Sequence, residues 1–375
     1  MCSMIYRKIG RDNDKVSAIG FGGGIGGHAS SDTNYASLEK TIRKSIDMGV
    51  NFIDTAPVYG DGLSEIILGK TIHSCRDDIF LATKLSPQDT TFKGVIESLE
   101  KSLKRLKTDR VDLLQVHWSN PNVPMAETIS AMERLVEDGK VRNIGISNFS
   151  LTEMQQAIKV LNDNKLASVQ SEYNLFERSA ENNLLPFCER NDIIFISYSP
   201  LSQGKLVNGE HQRSLLKKIA DRHGATSGQV VLRWLIQNTN VIVIPNTTKE
   251  KRAIENANAC NISLASEDID EISSQMVTTQ TLIDTKSVRV SSDYNRKTYH
   301  TLSEAVENKL NMTPSPEELA YQIKSGEFLK PTRLKELKDS TEGKQYDLVE
   351  GRLRYWAWVI AYGWNKPIPS LVWRD

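Results

Sequence analysis

Asp54, Lys84, His117, Ser147, Asn148, Gln170, Tyr198 and Ser199 share a placement: each falls at or near the end of a short β-branched, apolar run. Titratable side chains of this kind give and take protons, while amides and hydroxyls hold a bound molecule by hydrogen bonds. A buried strand ordinarily reads as a continuous apolar run, so polar groups at so many run ends need a common reason. One shared site is the economical reason.

The runs that must position these groups are AIGFGG (18–23), NFIDTA (51–56), IFLATK (79–84), VDLLQVH (111–117), VRNIGIS (141–147), ASVQSEY (167–173), IIFISYS (193–199) and VIVIPN (241–246). Between them lie segments of helical period. In TFKGVIESLEKSLKRLK (91–107), Val95, Leu99, Leu103 and Leu106 recur at helical spacing while Lys and Glu take the other face. Strand and helix alternate, which is the signature of a parallel α/β sheet. Eight such units over about 260 residues match a (β/α)8 TIM barrel, whose functional residues sit at the C-terminal ends of its strands. The preceding IYRKIGRDNDKVSAIG reads as a hairpin that plugs the barrel bottom. A doubly wound open sheet is the alternative architecture.

At 375 residues the chain exceeds one barrel, and its composition shifts after about residue 280, where a Thr-Pro-Ser-Pro step opens a new helical stretch. The expected domains are 1–280, the barrel, and 281–375, a small α+β domain. Lys+Arg and Asp+Glu both total 47, so no net field recruits nucleic acid or an anionic membrane. No apolar run approaches bilayer length and MCSMIYRKIG lacks a signal-peptide plan, so a cytoplasmic protein is expected. Cys2, Cys75, Cys188 and Cys260 are far apart and form no metal or redox motif, and the histidines show no metal spacing. Gly22, Gly24 and Gly27 fit a dinucleotide fingerprint, but HASSDTNY separates them from the next helical pattern, so they read as a strand-end loop.

The stretches DTAPVYGDGLSEIILGK (54–70), LATK (81–84), LLQVHW (113–118), GKVRNIGISNF (139–149) and SYSPLSQG (197–204) together resemble the aldo-keto reductase family, over about residues 4–275. The resemblance implies a catalytic tetrad of Asp54, Tyr59, Lys84 and His117. Hydride reduction of a carbonyl leaves an alkoxide that needs a proton, and a tyrosine with a pKa near 10 supplies one only when tuned. Lys84 beside the phenol favours its ionised form, Asp54 fixes Lys84, and His117 holds the substrate oxygen. Tyr59 is the expected proton donor and acceptor. The resemblance further implies that Ser147, Asn148 and Gln170 hold the nicotinamide carboxamide and that Tyr198 stacks on its ring. Ser199 and Leu201 follow in the same stretch. In IPNTTKEKRAIEN (244–256), Thr247, Arg252, Glu255 and Asn256 match the phosphate and adenine positions, and an arginine fork suits a 2′-phosphate. Asn246 departs from the Gly or Lys of many relatives, so NADP(H) is expected with NAD(H) left open. The substrate is a small carbonyl or alcohol, and the 117–149 stretch resembles bacterial inositol- or sugar-related reductases. A cofactor-binding sensor, or a barrel accessory to the C-terminal module, is the alternative to an enzyme.

The C-terminal KQYDLVEGRLRYWAWVIAYGWNKPIPSLV (344–372) resembles the ParB/sulfiredoxin-like fold: a strand, a G-x-x-R turn, a helix and an Ile-Pro strand. That resemblance implies a nucleotide or phosphate received at Gly351, Arg352 and Arg354, on a helix N-terminus. The segment lacks a helix-turn-helix and a basic surplus, so no nucleic-acid partner is expected.

Overall fold

The structure, a computed structural model, describes residues 3–24, 35–204, 206, 210–275, 280–291, 299–312, 314–325, 331–341 and 343–373. Gly27, Cys2 and His28 lie outside them. The chain divides into two compact units, Met1–Met276 and Val277–Asp375.

The first unit begins with an antiparallel hairpin, β1 (Tyr6–Ile9) and β2 (Asp14–Ser17). Eight parallel strands follow in chain order: β3 (Phe21–Gly22), β4 (Phe52–Asp54), β5 (Phe80–Leu85), β6 (Val111–Val116), β7 (Val141–Ser147), β8 (Leu166–Glu172), β9 (Ile194–Tyr198) and β10 (Val241–Val243). The sheet has no free edge at its ends. Ile19 bridges Val243, Gly20 N donates to Val243 O (2.7 Å), Val243 N to Ala18 O (2.9 Å) and Gly22 N to Pro245 O (3.2 Å). The open, doubly wound alternative is therefore excluded, because its first and last strands would not bond. Gly22 belongs to this seam: a β-carbon there would lie 2.7 Å from Ile244 O. The close approach of two strands explains the glycine, and the first helix among the described residues is Tyr35–Asp47.

Phe52, Phe80, Ala82, Leu113, Ile194, Ile196, Ile242 and Ile244 form an inner apolar cluster with Ile9 and Val16 of the hairpin. The hairpin thus closes one end of the barrel. Side chains on a strand repeat every second residue, so moving two residues along from Phe52, Ala82, Leu113 and Ile196 gives Asp54, Lys84, Gln115 and Tyr198 on the same inward face. The interior changes from apolar to polar within one step of the pleat. Outside the strands, Val95, Leu99, Leu103 and Leu106 of the Phe92–Leu106 helix are buried, as their helical spacing requires.

In the second unit, a mixed sheet has the order β11-β15-β13-β14-β12, with β11 Gln280–Ile283, β12 Val288–Arg289, β13 Thr332–Thr341, β14 Lys344–Glu350 and β15 Ile368–Trp373. β11 lies across the boundary expected at 280/281, which the compact units place at 276/277. The Pro316–Lys324 helix starts at the Thr-Pro-Ser-Pro step, with Ser315 and Glu318 forming a capping box. Tyr355, Trp356 and Val359 of the Arg352–Tyr362 helix pack with Leu334, Leu348 and Ile368 of the sheet. No helix among the described residues is long and apolar enough to cross a membrane.

Candidate active site

Asp54 ends β4, Lys84 lies near the end of β5 and His117 follows β6, so the barrel brings all three to one mouth. Tyr59 comes from the turn after β4. That turn reverses sharply because Gly60, Asp61 and Gly62 all have positive φ (62°, 53° and 84°). The Lys84 side chain is wholly buried, its Nζ 2.5 Å from Asp54 Oδ2. Nζ also donates to Thr55 O (3.1 Å) and, at 3.4 Å, to the Tyr59 hydroxyl.

These distances set the protonation states. Burial opposes the Lys84 charge, but Asp54 and Tyr59 more than offset it, and the ammonium is held above its ordinary pKa. For Tyr59 burial raises the phenol more than Lys84 lowers it, so the net direction is upward. Tyr59 keeps its proton at neutral pH. Burial, with Lys84 nearby, pushes His117 down to about 2, so its imidazole is neutral. His117 Nδ1 is buried without a hydrogen-bond partner. A proton at Nδ1 would have no acceptor, which favours the Nε2–H form. The ring stacks on Trp118, centroids 3.7 Å apart, and Tyr59 meets it edge-on at 5.9 Å.

Two glutamines complete the Asp54 environment. Gln115 Nε2 and Gln170 Nε2 both donate to Asp54 Oδ1, at 3.0 and 2.9 Å. Gln115 was not singled out in the sequence, although it stands two residues before His117 on the same strand face. Gln170, expected to hold a carboxamide, has its amide nitrogen engaged by Asp54 and offers its carbonyl oxygen instead. Asn148 is likewise built in: it donates to His117 O (3.1 Å) and Ser147 Oγ (3.1 Å), and Tyr198 OH donates to its Oδ1 (2.8 Å). The Tyr198 ring is thereby fixed at the mouth.

Asn148 and Ser199 carry positive φ (60° and 48°), strained values for non-glycine residues that cluster at this rim. Leu201 is half-buried nearby in the chain. Thr247 Oγ1 accepts from Lys249 N (3.1 Å) just before the Glu250–Asn258 helix, which has no side-chain cap. Arg252 is exposed on its first turn, and Glu255 and Asn256 are half-buried on the next. Asn246 donates to Gly22 O (2.6 Å) and Gly24 O (2.9 Å), tying the last strand-end loop to the first. The sequence departure at this position is thus a structural clamp. Gly351, Arg352 and Arg354 belong to the second unit: Gly351 has φ 91°, Arg352 is buried, and Arg354 Nη1 donates to Pro331 O (3.0 Å). Among the described residues no group of His, Cys, Asp or Glu could hold a metal ion.

A closed (β/α)8 barrel brings a buried Lys–Asp pair, a phenol and a neutral imidazole to its mouth, groups that can together give a proton to an oxygen. A model of the aldo/keto reductase family matches residues 18–276, and the chain belongs to that family of oxidoreductases. It is 35% identical to the methylglyoxal reductase YeaE of Escherichia coli over 239 residues, 62% of this chain and 84% of that protein. It is 32% identical to the glyoxal reductase of Bacillus subtilis, over 62% of this chain and 81% of the relative. A thermostable aldo-keto reductase solved with the inhibitor epalrestat superposes with a TM-score of 0.68 at 36% identity, covering 72% of this chain and 99% of its own. An aldo-keto reductase from Klebsiella pneumoniae in complex with NADPH gives 0.67 at 32% identity, covering 72% and 94%. The family match ends at residue 276, where the first compact unit ends.

Proposed function

We propose that the barrel reduces a small polar carbonyl to the alcohol with NADP(H), in the cytoplasm, and that Asp54, Tyr59, Lys84 and His117 carry the chemistry. The observation behind this reading is the Tyr59 hydroxyl 3.4 Å from an ammonium that Asp54 holds charged, on a phenol that burial keeps protonated. Such a phenol is a proton donor, which suits the reductive direction.

The residues present fit the cofactor. Tyr198 is a fixed half-buried ring, Ser147, Asn148 and Gln170 supply a polar rim, and Arg252 stands exposed at a helix start without a side-chain cap. Ser199, Leu201 and Thr247 follow the ends of β9 and β10, and Glu255 and Asn256 lie on the Glu250–Asn258 helix after them. NADPH, when bound, supplies the hydride. The substrate oxygen accepts from His117 Nε2–H and from Tyr59, and Tyr59 delivers its proton as negative charge develops there. Lys84 stabilises the phenolate left behind, and Asp54, itself held by Gln115 and Gln170, keeps Lys84 in place. Relatives named for methylglyoxal and glyoxal support small aldehydes, so these head the substrate panel, with the sugar- and inositol-like carbonyls as its second arm.

Tyr59→Phe tests the assignment. Turnover of NADPH with methylglyoxal should fall by about 10²–10⁴-fold while NADPH binding, read by fluorescence titration, stays near that of the parent. Turnover at the parent's rate would sink it.

For the second unit we propose the ParB/sulfiredoxin-like reading, with a phosphate or nucleotide at the Gly351 turn. Its support is the succession of β14, a positive-φ Gly351, the Arg352–Tyr362 helix and β15, together with a helix start that no side chain caps. Since Arg354 is engaged by Pro331 O, the backbone N–H groups of the first turn carry this proposal. Titration of the full chain with ATP, CTP and inorganic phosphate tests it; absence of saturable binding overturns it.

A further inference from the structure

Tyr59 and Lys84 come from different elements, a turn and a strand, and their 3.4 Å separation is longer than a normal hydrogen bond. Contacts behind the sheet also bear on it. The turn runs directly into the Leu63–Ile72 helix, with Ser64 N donating to Tyr59 O (3.2 Å), so the helix start carries Tyr59 with it. The second residue of that helix, Ser64, shares a hydrogen bond with Thr55 Oγ1 (2.8 Å) and donates to Gly23 O (2.6 Å). The third, Glu65, is fully buried. Its Oε1 accepts from Thr83 Oγ1 (2.7 Å) and its Oε2 from Arg105 Nε (2.6 Å). Thr83 immediately precedes Lys84, so by strand alternation its side chain leaves the opposite face of β5, toward the helices. Arg105 in turn packs over the turn itself: a β-carbon at Gly62 would lie 2.7 Å from Arg105 Cδ.

We propose that Glu65 is a positioning residue: bonded to Thr83 and Arg105 behind the sheet, it sets the distance between the Tyr59 hydroxyl and the Lys84 ammonium. A buried carboxylate is costly unless paired, and this one is paired by two elements that flank the reacting groups and touches neither group. The consequence is directional. Loosening the Glu65–Thr83 bond lets Tyr59 move from Lys84, weakens the ammonium's downward pull on the phenol and raises the Tyr59 pKa further.

The inference rests on Tyr59 and Lys84 being the proton-transfer pair, and the two fail differently: turnover by Tyr59→Phe sinks the pair, whereas the test below concerns only its spacing. Glu65→Ala would strand the Arg105 guanidinium and risk misfolding, so the test uses Thr83→Val, which keeps the branch and removes the hydroxyl, and Thr83→Ser, which restores it. Thr83→Val should lower kcat for methylglyoxal reduction about tenfold, in keeping with the sensitivity of catalysis to small misplacements. The KM for NADPH should not change, and the alkaline limb of the kcat profile should move to higher pH. Thr83→Ser should return both toward the parent. An unmoved alkaline limb in Thr83→Val, whether or not kcat falls, would show a merely structural contact and overturn the proposal.

Discussion

Both units bury aromatic and charged side chains, and they engage them differently. At the barrel mouth the polar side chains bond one another: Lys84 to Asp54 and Tyr59, Gln115 and Gln170 to Asp54, Tyr198 to Asn148. In the second unit the four aromatic side chains of the Arg352–Tyr362 helix bond the backbone. Tyr355 OH donates to Thr285 O (2.9 Å), Trp356 Nε1 to Tyr299 O (2.8 Å), Trp358 Nε1 to Lys366 O (3.1 Å) and Tyr362 OH to Ile323 O (3.2 Å). Its ion pairs Arg289–Asp347 and Arg333–Glu350 join residues directly opposite on neighbouring strands. A side chain bonded to a backbone carbonyl serves the fold, because moving it leaves a buried acceptor unpaired. A network of side chains that ends on a phenol, with an imidazole ring edge-on to it, can exchange partners, as proton transfer requires.

The largest expected effect follows from breaking the barrel network at its charge pair. Lys84→Met leaves Asp54 buried without a countercharge, which should cost about 3–5 kcal/mol of stability and all measurable turnover. Adding Asp54→Asn should recover most of the stability and none of the activity. Denaturant melts of parent, single and double variants check this, and a single variant as stable as the parent would remove the distinction drawn between the units. Arg252→Ala comes next. As the exposed cation expected at the 2′-phosphate, its loss should raise the KM for NADPH about 10–100-fold and that for NADH far less. Equal effects on the two cofactors would shift the cofactor reading to NAD(H).

The strand runs were legible because parallel strands buried on both faces must be apolar throughout, which made Asp54, Lys84 and His117 conspicuous. Tyr59 has no such signal: it sits in a turn, where tyrosine is unremarkable, and only its place in a family pattern marked it. Gln115 was readable by strand period, but it lies within its run, whereas the polar groups that drew notice lie at or near run ends. The direction of the Tyr59 shift was not legible, because sequence shows the neighbouring lysine and cannot show that burial outweighs it. Asn246 looked like a cofactor determinant, whereas its amide closes the seam between the first and last strands, a contact across 224 residues that no local pattern reveals. In the second unit the Arg354 fork was legible as a residue type, but its engagement by Pro331 depends on a fold that the sequence left open.

A smaller effect should appear in the pH dependence of stability. His117 is neutral in the folded chain, with its pKa lowered to about 2, while an unfolded histidine takes up a proton near 6.5. The unfolded state therefore binds more protons below that value, so the contribution is present above about pH 6.5 and is lost as pH falls. The stability difference between the parent and His117→Gln should change in the variant's favour by about 1.4 kcal/mol per pH unit between about 6.5 and 5. A difference independent of pH would mean that water reaches the ring and that the site is less closed than its geometry indicates.

The smallest effect sharpens the comparison from the other side. Tyr355 is almost fully buried, and its hydroxyl meets Thr285 O within the second unit. Tyr355→Phe keeps the ring packing against Trp356 and removes only that bond, leaving one backbone acceptor unpaired. The expected cost is about 1 kcal/mol, a net hydrogen bond plus part of the penalty for the orphaned carbonyl. NADPH turnover should not change, because the lost bond holds the second unit's own chain and reaches none of the groups that bear the barrel's chemistry. A melt resolved by the tryptophan signal, four of the six indoles lying in the second unit, reports the loss where it occurs. If instead turnover fell with stability untouched, the backbone-bonded side chains of the second unit would be part of the catalytic apparatus, and the distinction between cohesion and chemistry would fail at that residue.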